Sequence, residues 1–186
     1  MKLYIKYMVS RRCKMLVQEV LEKLRLKYLR IDIGIVETIE DYTPSQLKEL
    51  KEKMLQSGLE LMEQKEANLI KKIEETVTEM VHSSHELPKT GHPDYLSKKV
   101  GTDYANLASL FSETKGITIE KFIDLQVVEK IKEILLYDEL KLSEISGKLS
   151  YKSAAQVSQQ VKKITGLTPS FYKNIKEKRN RNLRHM

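Results

Sequence analysis

The side chains with the clearest chemical potential lie between Ser153 and Lys163, in a stretch with helical spacing. Its apolar residues recur as Val157, Val161 and Ile164, which predicts one buried face. The other side carries amides, hydroxyls and lysines: Gln156, Ser158, Gln159, Lys162 and Lys163. Amides can read base edges in a duplex groove, and lysines can neutralise phosphates. A solvated helical surface is the alternative, and the pattern alone favours neither interpretation.

Two short helices joined by a tight turn are predicted to position this face. Ile145 and Leu149 lie four residues apart and mark the inner side of the first helix. Ser153 begins the second helix with a Ser-x-x-Gln capping pattern. Gly166 is predicted to end it, because glycine is favoured just after a helix. The stretch therefore predicts a helix-turn-helix unit.

Another helix-turn-helix unit precedes this one in the chain, so the earlier unit is the first and the unit described above is the second. Together they resemble the DNA-binding domain of the AraC/XylS transcription regulators. The earlier unit is YLSKKVGTDYANLASLFSETKGITIEKFI, with Val100-Gly101 in the turn and Gly116 after the second helix. The later unit closes with TGLTPSFYK, and the helix IEKFIDLQVVEKIKEILLYD links the two. The resemblance implies a bacterial regulator whose two units enter successive major grooves of double-stranded DNA.

The chain departs from the family pattern at several groove-facing places. The family often has an arginine two residues before the apolar Phe of each recognition helix, where this chain has Ser109 and Gln159. The usual Gly-Phe of the second turn is replaced by Ser150-Tyr151. Because the groove-facing residues of the first recognition helix, Ala105, Ala108 and Ser109, are all small, they cannot make bidentate base contacts. We therefore predict that the first unit contributes phosphate contacts, shape and contacts to thymine methyl groups.

The second unit is predicted to read bases, chiefly through Gln156 and Gln159. The predicted base-contacting residues are Ala105, Asn106 and Ser109 in the first unit and Ala155, Gln156, Ser158 and Gln159 in the second. The predicted phosphate-contacting residues are Lys115, Lys152, Lys162 and Lys163.

Charge and composition agree with a nucleic-acid partner. The 186 residues include 33 lysines and arginines against 26 acids, a net charge of +7, and most of the excess follows His92. The one cysteine, Cys13, excludes an intramolecular disulfide. We find no signal peptide and no apolar run of transmembrane length, and we expect a cytoplasmic location. The length allows one to two domains.

The first 63 residues predict a small α+β domain with the order β-α-β-β-α-β of a ferredoxin-like unit. They resemble the heavy-metal-associated domains, which bind a soft metal through a Cys-x-x-Cys pair. Here that pair would be Ser10 and Cys13, so one ligand is missing. Cys13 also falls on the predicted buried stripe of the first helix, and we favour a core cysteine over a metal ligand.

The chain is thus predicted to be mainly α, with a small α+β domain at the N-terminus. We predict a ferredoxin-like domain at 1–63, a connecting helix and linker at 64–93, an all-α double helix-turn-helix domain at 94–173, and a disordered basic tail at 174–186. His82, His85 and His92 lie around the linker, where they could form a metal site only if the loop folds back on itself, and we expect them to be solvated instead. A homodimer could form through the N-terminal domain or the connecting helix.

No catalytic motif is present: the chain has no Gly-rich phosphate loop, no Gly-x-Ser-x-Gly, no His-Glu-x-x-His and no Cys-x-x-Cys. We therefore predict a DNA-binding regulator that is not an enzyme and needs no cofactor. One alternative is a protein-interaction or sensory module with weakened DNA binding. Another is a metal or thiol sensor that acts through Cys13. The sequence identifies no effector.

Overall fold

The structure is a computed structural model that describes residues 1–82, 91–138 and 140–184, the last three of these by backbone alone. It is mainly helical, with a small four-stranded antiparallel sheet near the N-terminus. The chain divides into two compact units. The sheet unit comprises Met1–Glu74 and Leu96–Ile119, and the helical unit comprises Glu75–Tyr95 and Glu120–Met186. None of the helices in the described ranges is long and apolar enough to cross a membrane.

The sheet unit begins with the predicted order of strands and helices. These elements are β1 (Lys2–Lys6), α1 (Arg11–Lys23), β2 (Tyr28–Asp32), β3 (Ile35–Thr38), α2 (Pro44–Gln56) and β4 (Glu60–Leu61). The strands lie in the order β2-β3-β1-β4, and each neighbouring pair is antiparallel. The hairpin between β2 and β3 turns at Gly34, whose φ of 72° favours glycine.

Local sequence signals explain where α1 and α2 begin, and one apolar core holds them on the sheet. Ser10 caps α1 by accepting a hydrogen bond from the backbone of Cys13. Thr43 and Gln46 form the predicted capping box of α2. The fully buried core residues include Ile5, Val17, Leu21, Leu50 and Met54. Side chains from β1, β3, β4 and both helices thus share the core.

Seven further helices complete the described part of the chain. They are α3 (Gln64–His82), α4 (His92–Val100), α5 (Tyr104–Lys115), α6 (Ile119–Tyr137), α7 (Leu142–Lys148), α8 (Ala154–Thr165) and α9 (Pro169–Arg184). The first part of α3 belongs to the sheet unit and the rest to the helical unit. The predicted linker at 83–93 lies mostly outside the described residues, and α4 already begins at His92.

The C-terminal tail differs from the prediction of disorder at 174–186, because α9 continues to Arg184. Lys176 Nζ donates a hydrogen bond to the carbonyl oxygen of Asp138, at 2.7 Å. The guanidinium of Arg179 lies 5.3 Å from the ring centroid of Tyr137. These contacts join α9 to the end of α6, and they explain why a basic segment with few apolar residues is ordered.

The sheet unit also contains α5 and the part of α4 from Leu96 onward. The backbone N–H of Tyr7 donates to the carbonyl oxygen of Glu113, at 2.7 Å. Thr114 is fully buried, and its hydroxyl oxygen lies 3.4 Å from the sulfur of Met62. A Cβ atom placed on Gly34 would lie 1.9 Å from the carbonyl oxygen of Thr114. The C-terminal half of α5 therefore packs closely against the N-terminal sheet.

Candidate nucleic-acid interface

Helix α8 is fixed at both ends by local signals. The Ser153 side chain accepts a hydrogen bond from the backbone of Gln156, and the Gln156 amide oxygen accepts one from the backbone N–H of Lys152, at 2.9 Å. Gly166 ends the helix at φ 75°. Val157 and Val161 are fully buried beneath it. The helix is thereby held with one apolar face inward and the opposite face in solvent.

The exposed face of α8 carries most of the residues predicted for the second unit. Ala155, Gln156, Gln159, Lys162 and Lys163 are exposed. Their spacing of three or four residues places them on neighbouring turns of one surface. This arrangement presents amide donors and acceptors beside two ammonium groups.

Two other predicted residues of the second unit differ in exposure. Ser158 is half-buried, and its hydroxyl donates to the carbonyl oxygen of Ala154, at 3.1 Å. Lys152 is exposed in the turn just before α8. The structure therefore keeps Lys152 beside the exposed face, whereas the Ser158 hydroxyl is engaged with the helix backbone.

A groove of about 320 Å³ lies beside this face, and its hydroxyl groups were missed in the sequence. Gln159 and Lys162 line it from α8, and Thr168 and Ser170 line it from the start of α9. An ammonium group and two hydroxyls are groups that commonly contact phosphate oxygens. The sequence signal that could have identified them is the pair of hydroxyl residues that flank Pro169, since proline is favoured at the first position of a helix.

The turn before α8 contains the predicted Ser150 and Tyr151. Ser150 has a φ of 58°, in the left-handed region. The backbone N–H of Tyr151 donates to the carbonyl oxygen of Ser146, at 2.9 Å. Burial raises the pKa of Tyr151 to about 12, and the nearby charge of Asp124 adds to the shift. Tyr151 is therefore a neutral anchor of the turn at physiological pH.

Helix α5 presents small side chains where the first unit was predicted to face DNA. Asp103 caps it by accepting a hydrogen bond from the backbone of Ala105, at 3.0 Å. Ala105, Asn106 and Ser109 are all exposed, and Ala108 is half-buried. The Ser109 hydroxyl donates to a carboxylate oxygen of Glu113, at 3.0 Å. Only Asn106 among the exposed residues offers an amide.

Lys115 does not share the exposure of these residues. Its Nζ lies 2.6 Å from a carboxylate oxygen of Glu74 and 5.6 Å from the ring centroid of Tyr4. The side chain is 16% exposed. Because the ammonium is paired within the sheet unit, this placement argues against the predicted phosphate contact, and Lys115 forms no part of the interface proposed below.

The residues considered as metal ligands are dispersed. Cys13 is half-buried against the core, and its sulfur lies 3.2 Å from the Ser10 hydroxyl oxygen. That hydrogen bond lowers the pKa of Cys13. His82 Nδ1 lies 3.6 Å from a carboxylate oxygen of Glu133, whereas His85 lies outside the described residues. In the described ranges, no three His, Cys, Asp or Glu residues form a group that could hold a metal ion.

Comparison with known proteins identifies the domain that contains this interface. Residues 96–175 match the family model of a helix-turn-helix domain. The match includes both predicted units and ends just after the TGLTPSFYK closure. The matched residues do not include the N-terminal sheet. No curated protein is similar enough to the chain to count as a match.

Solved structures of regulators are similar to part of this chain at low sequence identity. An AraC-type transcriptional regulator from Chromobacterium violaceum is 13% identical, with a TM-score of 0.52 over 59% of this chain and 93% of that one. The C-terminal domain of AraT, a response regulator from Geobacillus stearothermophilus, is 19% identical, with a TM-score of 0.49 over 57% and 84%. The DNA-binding domain of AdpA, solved with a target DNA, is 16% identical, with a TM-score of 0.48 over 58% and 95%.

Proposed function

We propose that this protein is a sequence-specific DNA-binding transcription regulator of the AraC type. The exposed face of α8 carries the proposal, because it combines Gln156 and Gln159 with Lys162 and Lys163 on a capped, well-anchored helix. The match of residues 96–175 to a helix-turn-helix domain supports placing that face in a major groove. We propose that residues 94–173 form the DNA-binding segment.

Gln159 is the strongest candidate for base reading. An exposed amide offers two donors and one acceptor oxygen, a combination that can bind adenine through N6 and N7. The Gln156 oxygen already accepts the backbone N–H of Lys152, so this side chain has donors for DNA and less acceptor capacity. Ala155 is small enough to contact a thymine methyl group. We therefore assign the larger share of specificity to Gln159.

Phosphate contacts are assigned to cations and hydroxyls around the same face. Lys152, Lys162 and Lys163 are exposed, and Thr168 and Ser170 line the adjoining groove. Neutralised phosphates release condensed counterions, so the affinity should fall steeply with salt concentration.

The first helix-turn-helix unit makes fewer polar contacts with DNA in this proposal. Asn106 on α5 can bind a base edge, whereas Ala105 and Ser109 allow close approach of the DNA backbone and contact with thymine methyl groups. The two recognition helices would occupy successive major grooves, as the resemblance implies. The strand order β2-β3-β1-β4 supports a ferredoxin-like arrangement for the N-terminal residues.

The first test is fluorescence-anisotropy titration of the full chain with a random-sequence duplex at two salt concentrations. If about four phosphates are neutralised, a fourfold increase in salt should weaken binding on the order of 100-fold. Lys163→Ala should weaken binding, and Lys48→Ala, a substitution of an exposed lysine on α2, is the matched control. Absence of binding at low salt would contradict the proposal and favour a protein-interaction or sensory module.

The second test concerns sequence preference. A preferred duplex is selected from a random pool, and Gln159→Ala is compared with wild type on the preferred and the random duplex. We expect a loss of about 1–3 kcal/mol on the preferred duplex and little change on the random one. Equal losses on both duplexes would exclude base reading by Gln159.

A further inference from the structure

The outer edge of β2 is available for pairing. In the sheet order β2-β3-β1-β4, strand β2 lies at one end and pairs with β3 alone among the described strands. An edge strand presents backbone donors and acceptors that can pair with another chain. The composition of this edge determines which chain it can accept.

Hydrogen bonds on the inner side of β3 show which β2 groups point outward. Ile5 N–H donates to the Gly34 carbonyl, and Thr38 N–H donates to the Met1 carbonyl. Alternate residues of an antiparallel strand bond to opposite neighbours, so Glu37 of β3 bonds to β2. Glu37 is paired with Arg30 of β2. The backbone groups of the next residue, Ile31, therefore point to the outer edge.

We propose that β2 pairs antiparallel with β2 of a second copy of this chain, with the two-fold axis at Ile31. In this register, Ile31 faces Ile31 of the second copy in a hydrogen-bonded pair. Arg30 of each copy then faces Asp32 of the other. Opposite charges directly across an antiparallel pair stabilise it. Within one chain, Arg30 Nε already lies 2.8 Å from an Asp32 carboxylate oxygen, so the dimer would unite four alternating charges.

Other registers are unfavourable for definite reasons. A two-fold axis at Arg30 would place two guanidinium groups opposite each other, and one at Asp32 would oppose two carboxylates. A slip of one residue would face Ile31 with a residue whose backbone groups point inward, which leaves donors and acceptors unpaired. Among these registers, only the one with its axis at Ile31 makes the strand complementary to itself.

Exposed apolar residues beside β2 could also contact the second copy of the chain. Leu29 is 72% exposed and Met15 is 63% exposed. Together with Ile33 they contribute to the apolar part of a groove of about 660 Å³ along β2, which Arg11 and Lys14 also line. A register shift between Tyr28 and Arg30 shortens the regular ladder. A short ladder with a small apolar border predicts a reversible dimer with a Kd in about the micromolar range.

The test is sedimentation velocity of the full chain without DNA, from about 1 to about 200 μM. Wild type should shift from monomer to dimer across this range. Arg30→Asp gives a strand with two acids, and Asp32→Arg gives a strand with two bases, so each variant alone should have an apparent Kd raised at least tenfold. An equimolar mixture of the two variants should recover the dimer, because acids then face bases at both positions.

Two substitutions control for indirect effects. Leu29→Lys changes a side chain that is already exposed, so the monomer should keep its circular dichroism spectrum and lose dimerisation. Lys48→Asp, on the exposed side of α2, should dimerise as wild type does. A wild type that stays monomeric, single variants that dimerise normally, or a mixture that stays monomeric would each overturn the proposal.

Discussion

Ser150 occupies the left-handed backbone region, at φ 58°, in the turn between α7 and α8. A side chain in this region costs about 1 kcal/mol, which glycine avoids. Ser150→Gly should therefore raise the free energy of unfolding by about 0.5–1 kcal/mol. Thermal denaturation followed by circular dichroism measures the change. Ser143→Gly, on the exposed side of α7, is the matched control and should lower stability by about 1 kcal/mol. A destabilised Ser150→Gly would contradict the interpretation.

Lys6 is a cation held inside the sheet unit. It is 8% exposed, and its Nζ lies 2.8 Å from a Glu66 oxygen and 3.0 Å from a Glu60 oxygen. Burial alone would lower the pKa of Lys6, but the hydrogen bonds and charges of the two glutamates raise it above its usual range. The stabilisation is thus fully present below the unfolded pKa and is lost only in strong alkali.

Lys6→Met should lower the free energy of unfolding by about 1–3 kcal/mol at pH 7, because two neighbouring carboxylates lose their cation. Urea denaturation at pH 7 measures this difference. Lys2→Met is the control: Lys2 also pairs with a glutamate, but its side chain is 59% exposed, so the change should stay within about 0.5 kcal/mol. A deficit for Lys6→Met no larger than that for Lys2→Met would exclude the electrostatic explanation.

At the scale of elements, the sequence predicted those features of helices and strands that depend on residues close together in the chain. The capping pairs Thr43 with Gln46 and Ser153 with Gln156 lie three residues apart, so each helix start could be read directly, and both are confirmed. The order of strands and helices in the sheet unit followed from hydrophobic periodicity and turn residues. The exposed face of α8 followed from its apolar stripe.

Contacts between residues far apart in the chain could not be predicted in this way. Lys115 carries the positive charge that a phosphate contact needs, which is why the sequence predicted one. The pairing of Lys115 with Glu74 depends on the fold and could not be predicted. The segment after Tyr172 is basic and poor in apolar residues, which predicted disorder. Its helix contacts the end of α6 through Lys176 and Arg179. The sequence around these two residues does not predict which residues they contact.

Gly34 and Gly58 offer a matched pair for measuring how α5 packs on the sheet. Both have positive φ, at 72° and 73°. A Cβ atom at Gly34 would meet the Thr114 carbonyl at 1.9 Å, whereas one at Gly58 would meet nothing within 4 Å. Gly58→Ala should cost about 1 kcal/mol from backbone strain, and Gly34→Ala at least about 2 kcal/mol. Similar losses in chemical denaturation would show that the contact with α5 contributes little.

At the scale of the whole molecule, the division into two compact units differs from the predicted domain limits. The predicted boundary at residues 93–94 separates the N-terminal sheet from both helix-turn-helix units. The structure instead groups Leu96–Ile119 with Met1–Glu74. The sheet unit therefore includes α5, and the helical unit includes α8. The second helices of the two helix-turn-helix pairs, α5 and α8, thus belong to different units.

Removal of the N-terminal residues should affect the two recognition helices unequally. In a fragment of residues 93–186, α5 loses Tyr7, Met62 and Glu74 as contacts. Amide hydrogen exchange should therefore accelerate more in α5 than in α8 relative to the full chain. Mass spectrometry of peptides from each helix measures the difference. Equal protection in both forms would show that α5 does not depend on the sheet.

The packing of Thr114 against the sheet has a consequence for how this chain could recombine with others. The segment that matches a family model and the segments that form one compact unit with the sheet are different parts of this protein. A chimera joined at residue 94 would contain α5 without the sheet. Thr114 would then lose its buried surroundings, and Lys115 would lose its partner Glu74. A functional exchange would therefore have to carry the sheet and α5 as one piece, and such a piece is discontinuous in the sequence.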